Sequence, residues 1–325
     1  MKSFTAVKLR FLSPLHVGEP GVGVEKVLSY CIHSDTLWAA ILHGWCRLGY
    51  DPSVLTPYEV RKDHWEPSFR LSSAFPWVGE TFYFPKPVGP MPLREEVEPH
   101  LWKKLKKVRF LPQKVFERWI KGEGLDRQAV AETLSFWQQL ESRVSQYAEP
   151  HVRLGYASFA PQIYYLGVSS FQEGAGLYFL LEGLNEELKD PLFSTLNFLA
   201  EEGIGGKRSR GFGLFEWEPV TLSLDLPEVT DGWLLLSTII PEEALLERLS
   251  RSTFQLYQNR GWAMSSTGDQ AFRKPVWMIL EGATFPIQPR GRVVDVTPED
   301  WPAPHKVWRH GIALTIPFKR GRGND

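Results

Sequence analysis

The chain has 325 residues, 43% hydrophobic and 23% charged, with 37 Lys and Arg against 38 Asp and Glu and a net charge of -1. This is a soluble globular composition with room for two domains. The near-neutral balance excludes a polybasic nucleic-acid binder, so any phosphate site must be a local basic groove. No apolar run reaches the length of a membrane span. Two cysteines, Cys31 and Cys46, with His33 and His43 nearby but no CxxC or HxxxH pattern, read as free thiols of a reducing cytoplasm rather than as zinc ligands.

The opening MKSFTAVKLRF lacks a signal-peptide h-region and alternates instead. It predicts a strand over 4–12 with Val7, Leu9 and Phe11 on one face and Lys8 and Arg10 on the other. A glycine-containing loop follows over 13–31. Ser34 or Asp35 suits the N-cap of a helix through Leu37, Trp38, Ile41, Leu42, Trp45 and Leu48, whose spacing makes one broad apolar face. Residues 51–125 differ in texture: prolines recur every few residues, and a KKLKK run at 103–107 reads as a solvated face. That segment predicts an insertion, a hairpin arm or a flap rather than core.

A helix is expected over 126–147, strands over 158–169 and 176–182, and a helix over 191–202 carrying Leu192, Phe193, Leu196 and Leu199 at helical spacing. Strand, helix, strands, helix, glycine loop and strand is the order of a split βαβ sheet with a large insertion. A second unit begins near Trp233 with the strand WLLLSTIIP, a helix over 242–251 and short strands near 254–257, 276–281, 293–296 and 312–318. The expectation is an α+β chain of two ferredoxin-like (RRM-like) domains. The first spans 1–220 with an insertion at about 51–150, and the second spans 221–325.

The most telling stretch is GIGGKRSRGFG at 203–213, between a helix and the strand-like run LFEW. Gly205, Gly206 and Gly211 permit positive φ and close approach of another backbone. Successive N–H groups in such a loop form an anion-binding concavity. Lys207, Arg208 and Arg210 add charge around Ser209, and Phe212 adds a flat apolar surface. A P-loop opens a helix whereas this loop closes one, and the GxGxxG order after a strand is missing. The plain structural reading is a glycine C-cap with a solvated basic turn. The functional one is a grip on a phosphate backbone, most naturally that of a nucleic acid.

In YQNRGWAM, Arg260 and Trp262 flank Gly261 and suit either RNA stacking and neutralisation or a tight turn. Arg273 and Lys274 open a strand, and in HKVWRHG the residues His305, Lys306, Arg309 and His310 read as surface decoration. His16 and His33 are candidate general bases toward an RNA 2′-OH, with Lys26, Tyr30 or the loop arginines as the second group; the simpler reading of both is non-catalytic. Asp35 reads as a helix cap. Paired carboxylates with metal spacing, a GxSxG elbow and a Cys–His signature are absent, so no catalytic residue, metal or cofactor is expected.

The first strand, the loop LHVGE, the helix start IHSDTLWAAI and the late loop GIGGKRSRGFG, in that order, resemble the RAMP superfamily of CRISPR RNA-binding proteins. YQNRGWAM, RKPVWMILEGATF and HKVWRHGIALTIPF resemble its family of fourth subunits of the type III-A Csm effector complex. The resemblance implies a non-catalytic cytoplasmic cap subunit in antiviral defence, binding crRNA and meeting target RNA, with no membrane partner. It would hold the 5′ repeat tag of the guide and join the large polymerase-like subunit to the backbone RAMP subunits.

RNA contacts are implied at His16 and Gly18, at His33, Ser34, Asp35 and Thr36, and in the glycine loop at Gly205, Gly206, Lys207, Arg208, Ser209, Arg210, Gly211 and Phe212. Arg260, Trp262, Arg273 and Lys274 follow from the later phrases. A thumb that wedges against the guide–target duplex is implied at 69–115. Many relatives carry an acidic-Arg-Thr phrase where this chain reads HVRLGY at 151–156, which leaves Arg153 as the residue there that would face RNA. Backbone subunits cleave target RNA with an Asp in the first loop. Residues 13–30 hold Glu19 and Glu25 but no Asp, which argues against target cleavage. Two alternatives stand beside this reading. One is a metal-independent repeat-processing endoribonuclease using His16 or His33, and the other is a scaffold bound mainly through protein contacts.

Overall fold

The computed structural model describes residues 1–18, 30–57, 66–153, 162–264 and 270–320. The N-terminal unit runs β1 (Lys2–Phe11), α1 (Ser34–Arg47), β2 (Arg70–Leu71), β3 (Phe75–Val78), β4 (Thr81–Pro85), α2 (Pro99–Leu105), β5 (Phe110–Pro112) and α3 (Gln113–Ile120). It continues through α4 (Arg127–Arg143), β6 (Val144–Arg153), β7 (Gln162–Phe171), β8 (Ala175–Glu182), α5 (Glu186–Glu202) and β9 (Phe215–Leu224). One sheet has the order β5-β4-β3-β8-β1-β9, with β2 also on β8, and its pairings are antiparallel.

Alternation along β1 assigns Val7, Leu9 and Phe11 to one core and Phe4 and Ala6 to another on the opposite face. The Val7 face is covered by Leu37, Trp38, Ile41 and Trp45 of α1 and by Leu192, Leu196 and Leu199 of α5. These two helices approach closely because position 44 is glycine; a Cβ there would lie 2.9 Å from Thr195 Cγ2.

The Phe4 face is closed by Phe116 and Trp119 of α3, by Trp137 and Leu140 of α4, and by Leu234, Leu236 and Ile316 farther along the chain. This corrects the expectation for 51–125. Phe75, Tyr83, Phe84, Leu111 and Phe116 are completely buried, each worth roughly 1.5–3 kcal/mol of apolar transfer. Among the described residues the segment contributes these side chains to the core, so 69–115 packs into the unit rather than projecting as a thumb. Its prolines misled because Pro85 and Pro112 merely end β4 and β5, where a missing N–H costs little. The lysines of the KKLKK run are exposed as expected, with Leu105 turned inward. The N-terminal unit does carry a long two-stranded ribbon, but it is β6–β7, registered from Val144↔Phe171 to Arg153↔Gln162. Ile163, Tyr165 and Val152 are exposed on it.

The C-terminal unit comprises β10 (Gly232–Leu235), α6 (Glu243–Leu246), β11 (Leu256–Asn259), β12 (Trp262–Met264), β13 (Gln270–Phe272), β14 (Val276–Ile279), β15 (Thr284–Phe285), β16 (Val294–Asp295), β17 (Trp308–Arg309) and β18 (Thr315–Phe318). Its sheet is β15-β10-β18, with β11–β14, β12–β13 and β16–β17 as separate pairs. The helix expected over 242–251 is one turn of α-helix followed by a 3-10 turn at Leu249–Arg251. Backbone bonds stitch the units together: Ser73 N–H to Leu236 O at 2.9 Å, Val88 N–H to Gly282 O at 2.8 Å and Lys319 N–H to Ile120 O at 2.8 Å. The architecture is mixed helix and antiparallel sheet, as the α+β expectation requires.

Candidate nucleic-acid interface

The glycine loop is a built object rather than a loose turn. Gly203, at φ 83°, ends α5 and donates to Leu199 O at 2.8 Å; Ile204 N–H then bonds Gly213 O at 3.0 Å and closes the loop. The first loop is laced into it, with Gly206 N–H on His16 O at 2.8 Å and Gly213 N–H on Pro14 O at 2.9 Å. A Cβ at Gly205 would lie 2.6 Å from His16 O, and one at Gly213 2.0 Å from Ile204 O, so side chains are excluded there. At the tip, Arg208–Arg210 form a 3-10 turn between Lys207 and Gly211, both left-handed. Lys207, at φ 63°, is the one non-glycine with positive φ among the described residues. Backbone held in this sparsely populated region collects at ligand clamps.

Lys207, Ser209, Arg210 and Gly211 are exposed. Arg208 is half-buried and lies 3.9 Å from Glu202. Arg210 donates to Tyr164 Oη at 2.6 Å, which joins the loop to the β6–β7 ribbon. Phe212 is not the flat exposed surface expected. It is buried with Leu166 and Val168 of β7, so it anchors the loop from beneath. His16 is also buried and donates from Nδ1 to Gly167 O at 2.7 Å. Burial lowers its pKa and the Lys207 charge adds to that, against the raising effect of the Gly167 bond; the ring is neutral at pH 7. Gly18 is exposed beside it.

The start of α1 departs from expectation. His33 occupies the N-cap position without a side-chain capping bond, and Ser34 and Asp35 lie inside the helix. Asp35 caps nothing: its carboxylate, fully buried, accepts from Arg309 Nη1 at 2.5 Å and Asn259 Nδ2 at 2.7 Å. Ser34 shares a hydrogen bond with Thr238 at 3.0 Å. His33 donates from Nδ1 to Glu281 Oε1 at 2.8 Å and stacks on Tyr257 at 5.2 Å.

Burial pushes the His33 pKa down, but Glu281 and the bonds to Cys31 and Glu281 outweigh it and hold the ring well above the usual range. Burial and the Glu281 charge push the Cys31 thiol up to about 11. Cys31, His33 and Glu281 gather donor atoms within 4.8 Å, two of which, His33 Nδ1 and Glu281 Oε1, already form an ion pair. Cys46 is exposed and does not join it.

His33, Ser34 and Asp35 therefore form a seam between the two units, with their side chains withdrawn from the surface; Thr36 beside them is half-buried. Arg309 and His310 are buried in the same seam rather than decorating the surface. His310 stacks on Trp38 at 4.0 Å, and burial pushes its pKa down to about 3. Sequence reasoning missed Tyr257, Asn259, Glu281 and Arg309 as partners. The available signal was the parity of β11, which turns Tyr257 and Asn259 to the same side. Arg260, Trp262 and Lys274 are exposed on the C-terminal ribbon, and Arg273 is half-buried. Lys26, Glu19, Glu25 and the residues after Arg153 up to 161 lie outside the described residues, as does the side chain of Arg153.

Comparison with known proteins places this geometry. Residues 228–318 match the CRISPR Csm4 C-terminal domain. The Csm4 protein of Thermococcus onnurineus (strain NA1) is 29% identical over 267 residues, covering 79% of this chain and 83% of its own length. That of Streptococcus thermophilus is 27% identical over 311 residues, covering 90% and 93%. The chain resembles Csm4 along nearly its whole length.

Among solved structures, a Csm1-Csm4 cassette in complex with cA4 matches with a TM-score of 0.61 at 21% identity over 99% of this chain and 100% of that one. A Csm3-Csm4 subcomplex of the type III-A CRISPR-Cas interference complex matches with a TM-score of 0.61 at 19% identity, covering 97% and 99%. The Csm4-type fold thus extends beyond the domain matched by the family model.

Proposed function

We propose that this chain is the guide-binding cap subunit of a type III-A CRISPR effector complex. It holds the 5′ repeat tag of the crRNA, meets target RNA, and joins a large polymerase-like subunit to backbone RAMP subunits in the cytoplasm. The observation that carries the reading is the glycine loop, a hydrogen-bonded turn that exposes Lys207 and Arg210, with Arg208 half-buried between them, in a Csm4-like chain. Its backbone and cations would grip phosphates, the salt-dependent part of affinity, while aromatic side chains stack unpaired bases.

In the order β9-β1-β8-β3, with α1 and α5 as crossovers, the first unit has the plan of a ferredoxin-like domain. The C-terminal unit is a reduced version, keeping β15-β10-β18 and one turn of helix. In this reading chemistry is left to other subunits; His33 is held in an ion pair, and His16 is buried with Nδ1 on Gly167 O, its Nε2 being the atom that the nuclease alternative would need.

The test is guide occupancy and its salt dependence in the co-purified complex. Lys207→Ala with Arg208→Ala is expected to lower occupancy and to reduce the log–log salt slope by roughly 0.7 for each phosphate released. Unchanged occupancy and slope would overturn the reading. Metal-free incubation with labelled repeat RNA addresses the nuclease alternative: intact, shifted RNA supports the cap subunit, and cleavage lost in His16→Ala supports the nuclease.

A further inference from the structure

The ribbon formed by β11–β12 and β13–β14 leaves large apolar side chains in solvent. Trp262 is 57% exposed, Phe272 64%, Trp277 57% and Leu256 51%. Burial of any one of them would contribute roughly 1.5–3 kcal/mol, and contiguous exposed apolar surface of this kind marks a contact site. The rest of the ribbon shows that this exposure is not a failure to pack. Residues of the other parity on β11, Tyr257 and Asn259, turn inward and bond Asp35, while Met278 is completely buried.

The exposed rings are also pre-arranged. Trp262 and Phe272 are cross-strand partners whose centroids lie 3.8 Å apart with their planes at 32°. Trp277, paired with the half-buried Gln258, is exposed farther along the ribbon. Between Asn259↔Val276 and Trp262↔Phe272, two residues on one strand face three on the other, a bulge at Arg273-Lys274-Pro275. The bulge puts cations next to the rings. Arg260 and Lys274 are exposed, and the Arg273 guanidinium lies over Gly261, where a Cβ would come within 2.5 Å of its Nη2. Arg273 Nε is buried without a hydrogen-bond partner. The sequence over 256–280 carries these three cations against one acid, Asp269.

We propose that this ribbon is a base-stacking platform for unpaired nucleotides of single-stranded RNA, with Trp262 and Phe272 as the stacking pair and Arg260, Arg273 and Lys274 holding the adjoining phosphates. The proposal rests on the RNA-binding reading above and adds a second grip, on bases rather than backbone, to the glycine loop. A polyanion complements the net positive charge of the ribbon, and every base offers a π-face, so the platform is tolerant of sequence.

The experiment is fluorescence anisotropy of labelled oligouridine and oligoadenosine, on the full chain and on its complex with the co-expressed large subunit. The variants are Trp262→Ala, Phe272→Ala, Trp262→Phe and, in parallel, Lys207→Ala with Arg208→Ala. Trp262→Ala is expected to weaken binding roughly 5- to 150-fold with the salt slope unchanged, and Trp262→Phe to recover most of the loss. Since Trp262 is exposed, its variants should retain the wild-type melting temperature. If Trp262→Ala and Phe272→Ala bind RNA as wild type does while the glycine-loop variant does not, the platform is wrong and the cap-subunit reading stands. If they retain RNA affinity but no longer co-purify with the large subunit, the surface is a protein contact and the proposal is overturned. If neither the wild-type chain nor its complex binds RNA, both readings fall.

Discussion

Asp35 meets Arg309 with both side chains almost fully buried, whereas Lys207 and Arg210 project from the glycine loop into solvent. Both regions are short polar stretches at a helix terminus, and both carry residues that the family resemblance assigns to RNA. They differ in where the balancing charge comes from. The partner of Asp35 stands 274 residues away in the chain, so the fold neutralises it. Lys207 of the loop is exposed, and a strained backbone at φ 63° holds it there. The seam uses its charge to join the two units, and the loop leaves Lys207 and Arg210 exposed.

The largest effect should come from breaking the seam. Asp35→Ala strands the Arg309 guanidinium in the interior and is expected to cost about 3–5 kcal/mol in urea unfolding, while Asp35→Leu with Arg309→Met recovers most of that loss. No measurable loss in Asp35→Ala would show that the pair does not hold the seam.

The pH dependence follows next. The folded-state pKa of His33 is raised, so its contribution is complete below about 6.5 and is lost as pH rises through the folded value. His310 is depressed to about 3, so the unfolded chain takes up a proton there that the folded chain refuses, and stability drops as pH falls below about 6.5. The seam should be most stable near pH 6.5. Each imidazole contributes a slope of at most about 1.4 kcal/mol per pH unit on its own side. His310→Phe, measured by denaturation across pH 4–8, should flatten the acid limb alone.

On the other side of the comparison, Gly205→Ala drives a Cβ into His16 O at a φ of +91°. It should cost roughly 1–3 kcal/mol in unfolding, with a larger proportional loss in RNA affinity. An equal loss in both would mean that the loop is structural only. The smallest effect is expected for Tyr164→Phe, which removes the acceptor of Arg210 and about 1 kcal/mol of local stability. Faster amide exchange confined to β6 and β7 would confirm that Arg210 braces the ribbon.

Much of the fold was legible because local patterns carry it. The alternation of β1, the apolar face of α1 and the glycines after α5 are short-range signals, and each marks the element found there. The segment 51–125 was misjudged because its order comes from tertiary packing: Phe75, Phe84 and Phe116 are scattered among prolines and gather only when α3 and α4 close over the sheet. The site divides in the same way. The basic turn at Lys207 and Arg208 could be anticipated because glycine and cation occur together within a few residues. The burial of His33 and Asp35 could not, since it depends on Glu281 and Arg309, contributed by a distant part of the chain. Phe212 failed for a related reason, as its place under β7 is set by strand pairing.

The seam also decides how portable the C-terminal domain is. The family-model match begins at residue 228, yet Asp35, His33 and Ser73 lie upstream of it and hold groups downstream of it. A chimaera exchanging residues 228–318 for those of a relative inherits a working joint only if the donor brings a cation for Asp35 and a carboxylate for His33. Two chains of this type can therefore diverge in their exposed surfaces while their halves remain bound to one another as an inherited pair.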